Sequence, residues 1–174
     1  LEALTSGQAD LALGVALETP TPPGYRSERL GSVEFIFALA PGHPLARAAE
    51  PLTDELLRQH RAVAVADSVQ RGHALTIGLL GGQDVLTVPN MMAKLEAQLH
   101  GLGVGFLPSY LVQPYLDSGR LLTRQVQRPR RLARMSYLWR DEPQARAGRA
   151  LKWWLAQLAR PATRQALLER PQAL

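Results

Sequence analysis

The clearest alternation of apolar and polar positions runs from Thr87 to Tyr110, TVPNMMAKLEAQLHGLGVGFLPSY. Met91, Met92, Leu95 and Leu99 fall on one stripe at helical spacing, while Lys94, Glu96, Gln98 and His100 fill the other side. Asn90 is placed to cap that helix, because its side-chain oxygen can accept a first-turn N–H. Gly101 supplies the left-handed residue on which helices commonly end. The apolar run Gly103–Leu107 then reads as a buried strand that Pro108 stops. A strand, a helix and a second strand in this order predict parallel pairing through a right-handed crossover, the basic unit of an α/β domain.

The remaining pattern extends that reading. Leu1 to Gln8 suits the last turns of a helix, and Asp10–Val15 a short strand. The prolines at 20, 22 and 23 predict an extended loop before a nearly continuous apolar run at Gly31–Ala40. Thr53 is a cap for a short helix over Asp54–Gln59, whose first-turn acids favour the helix dipole. RAVAVA at Arg61–Ala66 and Asp84–Val88 read as strands. One or two helical turns are expected around Pro114, ending near Gly119, and strands at Leu121–Val126 and Met135–Trp139. Glu142-Pro143 opens a last strong helix in which Leu151, Trp154, Leu155 and Leu158 have core spacing. Pro161 limits it, and the tail from Ala162 to Leu174 reads as another short helix or a frayed end.

Composition narrows the function classes. With 174 residues and 46% hydrophobic content, the chain can bury a core in one domain or two small lobes. The absence of cysteine excludes disulfides and thiolate metal sites. His43, His60, His73 and His100 are scattered without metal-ligand spacing, and His43 reads as a turn residue; no metal or cofactor is expected. No apolar run approaches the length of a membrane span. The net charge of +5 is uneven: nine arginines against Asp141 and Glu142 lie between Arg120 and Arg149, leaving the rest of the chain slightly acidic. That basic region reads as a solvated loop and strand edge rather than a nucleic-acid surface, since only Tyr137 and Trp139 interleave it. No G-x-S-x-G, Walker, H-E-x-x-H or Rossmann motif occurs, so the chain is not expected to be an enzyme.

Three segments carry a resemblance. GLGVGFLP at Gly101–Pro108, LTSGQADLALG at Leu4–Gly14 and FIFALAPGHPLA at Phe35–Ala46 are similar, in order and spacing, to segments of the effector-binding domain of LysR-type transcriptional regulators. The resemblance implies an α/β, two-lobe, periplasmic-binding-protein-like fold with mostly parallel sheets and two crossover strands. It places the first lobe at 1–34 and 141–174, incomplete at its N-terminus, and the second at 41–134, with crossovers at 35–40 and 135–140. The family's upstream strand–helix–strand, winged helix-turn-helix and linker helix would precede Leu1.

In open α/β sheets ligands bind beyond the carboxyl ends of strands. The family's effector contacts fall in such loops, which implies Val15, Ala16, Asp67, Ser68, Gln70, Thr87, Pro89, Asn90 and Met91 as effector-binding residues. The free N–H groups at the start of the Met91 helix suit a carboxylate. The implied partners are a small-molecule effector, with carboxylates the candidate class, and DNA only through the winged helix. A homodimer or tetramer, a cytoplasmic setting and no membrane contact also follow from the resemblance. The alternative function is that of a solute-binding protein of a transport system with a related two-lobe fold.

Overall fold

The computed structural model describes residues 2–16, 20–66, 78–128, 131–141 and 148–169. They form two compact units: unit 1 comprises Leu1–Val33 and Leu132–Leu174, and unit 2 comprises Glu34–Arg131. The chain passes from one to the other within a single long strand, β2 (Tyr25–Leu39), and returns at the start of β7 (Arg131–Arg140).

Unit 1 begins with α1 (Glu2–Thr5), which is followed by Gly7 at φ +79°, and continues into β1 (Leu11–Val15). β1 pairs antiparallel with β7, Leu11 opposite Trp139 and Val15 opposite Met135. β7 in turn lies beside β2. Two terminal helices, α5 (Arg149–Leu158) and α6 (Pro161–Glu169), complete the unit. Leu30, Tyr137 and Leu158 form its core, with Leu155 and Leu168 packed on them. The expected helix start at Glu142-Pro143 lies outside the described residues. The expected core stripe holds at Leu158 but fails at Trp154, which is 42% exposed. Trp154 instead meets Trp153 edge to face on the open side, at 5.0 Å between ring centroids.

Unit 2 holds the second part of β2, a 3-10 turn at Pro44–Arg47, α2 (Asp54–Arg58), β3 (Ala62–Val65), β4 (Val85–Val88), α3 (Met91–Leu99), β5 (Gly105–Pro108), α4 (Ser109–Asp117) and the two-residue β6 (Leu122–Thr123). Local rules set most of these boundaries. Thr53 Oγ1 accepts from Leu56 N at 3.2 Å, and His43 Nδ1 accepts from Leu45 N at 3.2 Å. Gly101 and Gly119, at φ +69° and +68°, follow the ends of α3 and α4. Each is left-handed, where a Cβ would be strained. Apolar side chains pack on both faces of β2: Phe37 and Leu39 on one side with Leu45, Leu52, Leu57 and Phe106, and Ala38 on the other with Leu95, Leu107, Leu111 and Val112.

The sheets differ from the mostly parallel arrangement expected. β1–β7, β2–β5 and β2–β6 are antiparallel; β3–β4 is the parallel ladder. β4 and β5, the strands flanking α3, do not pair with each other. β3 lies between them, joined by the parallel bridge Ala62–Val104 to the residue just ahead of β5. The crossover therefore skips a strand. The antiparallel pairs arise because β2, entering unit 2 before any of its other strands, runs opposite to both β5 and β6. Leu121–Val126 is likewise not one strand, since Val126 bridges Leu52 rather than continuing along β2.

Candidate functional site

The parallel ladder of β3 and β4 ends with Val65 opposite Val88, so two strand ends meet two residues before α3 begins. Pro89 and Asn90 make the turn. Asn90 is extended (φ −156°, ψ 176°), and its Oδ1 accepts from Ala93 N at 2.9 Å, the cap expected from sequence. Among the described residues no group accepts from the N–H of Met91 or Met92. Those two amides, at the positive end of a nine-residue helix, are the groups an anion would meet. Thr87 is exposed and paired in register with Ala64, while Met91 is half-buried against the Leu95 cluster.

The predicted site residues thus divide. Thr87, Pro89, Asn90 and Met91 lie together in unit 2, at the carboxyl edge of β4. Val15 and Ala16 lie in unit 1 at the end of β1, where Val15 is 46% exposed and Ala16 N donates to Arg134 O at 2.7 Å. Asp67, Ser68 and Gln70 lie outside the described residues.

Helix α3 departs from the pattern read in the sequence. Its buried residues are Lys94, Leu95, Ala97 and Gln98, whereas Met92 is 53% exposed. The buried stripe is rotated because Gly105 opposite it has no side chain. A Cβ there would lie 3.0 Å from the end of the Gln98 side-chain amide and 3.3 Å from Lys94 Nζ. Gln98 uses the space to tie two strands together: its amide nitrogen donates to Ala38 O at 3.3 Å, and its oxygen accepts from Gly105 N at 3.1 Å. Lys94 has no such partner among the described residues, and burial pulls its amine down to about 8.

A second feature of unit 2 has no counterpart in the sequence reading. A cavity of about 640 Å³ opens over the Phe35–Phe37 stretch of β2. Phe37 and Phe106 are register partners, with ring centroids 5.4 Å apart and edge to face. The segment after β6 is laced to the segment before α2. Leu52 N donates to Gln125 O at 2.9 Å, Gln127 N to Leu52 O at 3.0 Å, and Gln125 N to Glu50 Oε1 at 2.9 Å. Arg128 grips Asp54 through two bonds of 2.9 Å each, which lowers the Asp54 carboxyl and raises the guanidinium. Arg124 donates to Ala48 O, and its Nε lies 3.1 Å from Glu50 Oε1 without the alignment of a hydrogen bond. Glu34, Glu50, Arg124 and Arg128 all line the cavity.

These contacts revise the solvated reading of the basic region. Arg124 and Arg128 are structural, Arg120 stacks over Tyr115 at 5.2 Å, and Arg140 donates to Ala9 O at 3.1 Å. The ion pairs could have been suspected only as opposite charges some 74 residues apart, which no local spacing rule detects.

The family model described as LysR substrate binding domain matches residues 1–162. The uncharacterized HTH-type transcriptional regulator YeeY of Escherichia coli is 39% identical over 153 residues, covering 88% of this chain and 48% of that protein. The HTH-type transcriptional activator AllS of Klebsiella pneumoniae is 36% identical over 112 residues, covering 64% of this chain and 42% of its own length. The chain thus spans about half the length of the curated relatives it matches. Among solved structures, the regulatory domain of NMB2055 (MetR) from N. meningitidis matches with a TM-score of 0.70 at 20% identity, over 98% of this chain and 76% of that one. Full-length LysG of Corynebacterium glutamicum, solved with its effector Arg bound, matches with a TM-score of 0.62 at 22% identity, over 98% and 56%. With a family match across nearly the whole chain and a fold that agrees, this chain belongs to the LysR substrate-binding domain family.

Proposed function

We propose that the chain is the effector-sensing part of a transcription regulator, in which a small metabolite held by this domain modulates transcription. The observation that carries the site is the start of α3: two strand ends converge on it, Asn90 caps the third amide, and the Met91 and Met92 amides have no described acceptor. A carboxylate suits that position because it is the charge the helix end favours. Thr87, Pro89, Asn90 and Met91 are the proposed contacts there, together with Asp67, Ser68 and Gln70, which follow β3 in the sequence. The chain acts on this reading as a binding module and not as an enzyme, consistent with relatives named as transcription regulators. Those relatives also favour regulation over solute transport.

DNA contact is assigned to a winged helix-turn-helix outside the residues present here, and self-association to a homodimer or tetramer. A cytoplasmic setting goes with operator binding; no helix among the described residues is long and apolar enough to cross a membrane. The test is a thermal-shift screen of small carboxylates, amino acids and aromatic acids, since a ligand of the native state raises Tm by mass action. A hit whose shift is lost in Asn90→Ala supports the reading. A screen in which no member moves Tm refutes it for these classes.

A further inference from the structure

Two imidazoles meet in unit 2. The rings of His43 and His60 are half-buried and lie edge to face, with centroids 5.0 Å apart. We infer that they form an acid-sensitive clasp: as neutral rings they hold the Pro44–Arg47 turn against the end of α2, and as cations they release it. The clasp concerns packing within unit 2 and does not rest on the ligand proposed at the start of α3.

The hydrogen bonds require the neutral form. His43 Nδ1 accepts from Leu45 N at 3.2 Å, so that nitrogen carries no proton and the neutral ring bears its own on Nε2. An imidazolium is a donor at both nitrogens, and protonation would set two N–H groups against each other. The Leu45 amide would then lack its acceptor, on a residue that is 1% exposed and packs in one core cluster with Leu57 of α2. Neither ring is free to retreat with its backbone. His43 N donates to Ala40 O at 3.0 Å, and His43 O accepts from Ala46 N at 2.9 Å. The Gln83 amide donates to Leu57 O and to His60 O, each at 2.9 Å.

The surrounding charges offer the cations no compensation. On α2 and the segments beside it, Glu55 pairs with Arg58, Asp54 with Arg128 and Arg61 with Asp84. Arg47, in the turn itself, is exposed and of the wrong sign. Among the described residues the histidine in an ion pair is His100, 3.8 Å from Glu96. Burial, and then the charge of His60, hold the His43 imidazole below its ordinary 6.5. Above 6.5 the ring is neutral in the folded and the unfolded chain, and the clasp is closed. As pH falls through 6.5 the unfolded chain takes up the proton first, so stability is lost until the folded ring is protonated as well.

The test is an NMR titration of the isotope-labelled full chain from about pH 8 to pH 5, with amide hydrogen exchange measured at both ends. The His43 ring is expected to titrate below 6.5. Exchange at the Leu45 amide, divided by its intrinsic rate at each pH, should rise at least about five-fold at the acid end, the effect of losing one ordinary hydrogen bond. Two variants then separate the parts. His43→Asn keeps an acceptor at the cap but cannot be charged, so the fall in Tm between pH 7.5 and 5 should be smaller than in the parent. His60→Gln removes the neighbouring charge, so His43 should titrate closer to 6.5 and the acid decline should again be shallower. His100 keeps its Glu96 partner in every protein compared, so its contribution cancels in the differences. A His43 ring titrating at or above 6.5 overturns the inference, as does Leu45 exchange that is the same at both ends. Acid declines in His43→Asn and His60→Gln parallel to the parent's overturn it too. Should His43→Asn fail to fold, the ring titration and the Leu45 exchange of the parent decide alone.

Discussion

Lys94, on the buried face of α3, is 4% exposed with no carboxylate in ion-pair range among the described residues. Its ordinary value of 10.5 falls to about 8, from burial. Replacing it with methionine keeps the length of the stem and removes the charge. In the unfolded chain the amine holds its proton up to about pH 10.5, whereas in the folded chain it gives it up near pH 8. Below pH 8 both states are charged, and the folded state bears the whole cost of burial. As pH rises from 8 to 10.5 the unfolded state binds more protons than the folded one, so stability must increase with pH. The depression from 10.5 to about 8 corresponds to about 3 kcal/mol at 1.36 kcal/mol per unit, an upper figure because solvent relaxation softens it.

Lys94→Met is therefore expected to be more stable than the parent at pH 7, by about 1–3 kcal/mol, and to lose the rise between pH 8 and 10. Tyr137, whose phenol is raised by burial, lowers stability above pH 10 in both proteins, so the difference between them isolates Lys94. Urea unfolding followed by far-UV circular dichroism is the assay. Tryptophan fluorescence would report the wrong part of the molecule, because Trp139, Trp153 and Trp154 all belong to unit 1. A variant less stable than the parent at pH 7, together with a parent flat from pH 8 to 10, would falsify the reasoning and show that the amine has a partner.

Three further outcomes are expected. Asn90→Ala removes the acceptor for Ala93 N and should cost about 1 kcal/mol, read as a lower urea midpoint with unchanged slope. Gly103→Ala would place a Cβ 2.7 Å from Arg61 O and 2.9 Å from Val63 Cγ2, in a bridge that backbone bonds hold on both sides. Such overpacking should lower stability by about 1–3 kcal/mol, and a Tm equal to the parent's would contradict it. Asp54 is held below its ordinary 3.8 chiefly by the hydrogen bond from Arg128, so its contribution is present above that value and is lost as pH falls through the folded one. In Tm measurements from pH 5 to pH 2, Arg128→Gln should show a shallower acid decline than the parent; parallel declines would dismiss the pair as a source of acid sensitivity.

What could be read from sequence depended on how far apart the interacting residues lie. Caps at Thr53 and Asn90 and the glycine ends at Gly101 and Gly119 were legible because each involves atoms three or four residues apart. The buried strands were legible as apolar runs. Pairing was not: whether β5 meets β4 or β3 depends on contacts across 40 residues, and a strand–helix–strand pattern is compatible with adjacent pairing or with a skipped strand. The orientation of α3 failed for a related reason. A helical wheel assigns lysine and glutamine to the outside, and only the bare backbone at Gly105, on another element, admits Lys94 and Gln98 beneath it.

The same distinction separates the start of α3 from the cavity. The start of α3 is a property of five consecutive residues, so sequence located Thr87, Pro89, Asn90 and Met91 together. The cavity gathers Glu34, Glu50, Phe106, Arg124 and Arg128 from four separate stretches of unit 2, and its arginines were hidden within a basic run. The charges there are not interchangeable with the run's other arginines: Arg128 faces a carboxylate at 2.9 Å, whereas Arg120 lies over an aromatic ring. A basic stretch averaged over 30 residues therefore says little about any one of its members. Substituting Arg128 should therefore alter acid stability where substituting Arg120 does not, since the Arg128 guanidinium pins the 124–128 segment to α2 and holds the Asp54 carboxyl down.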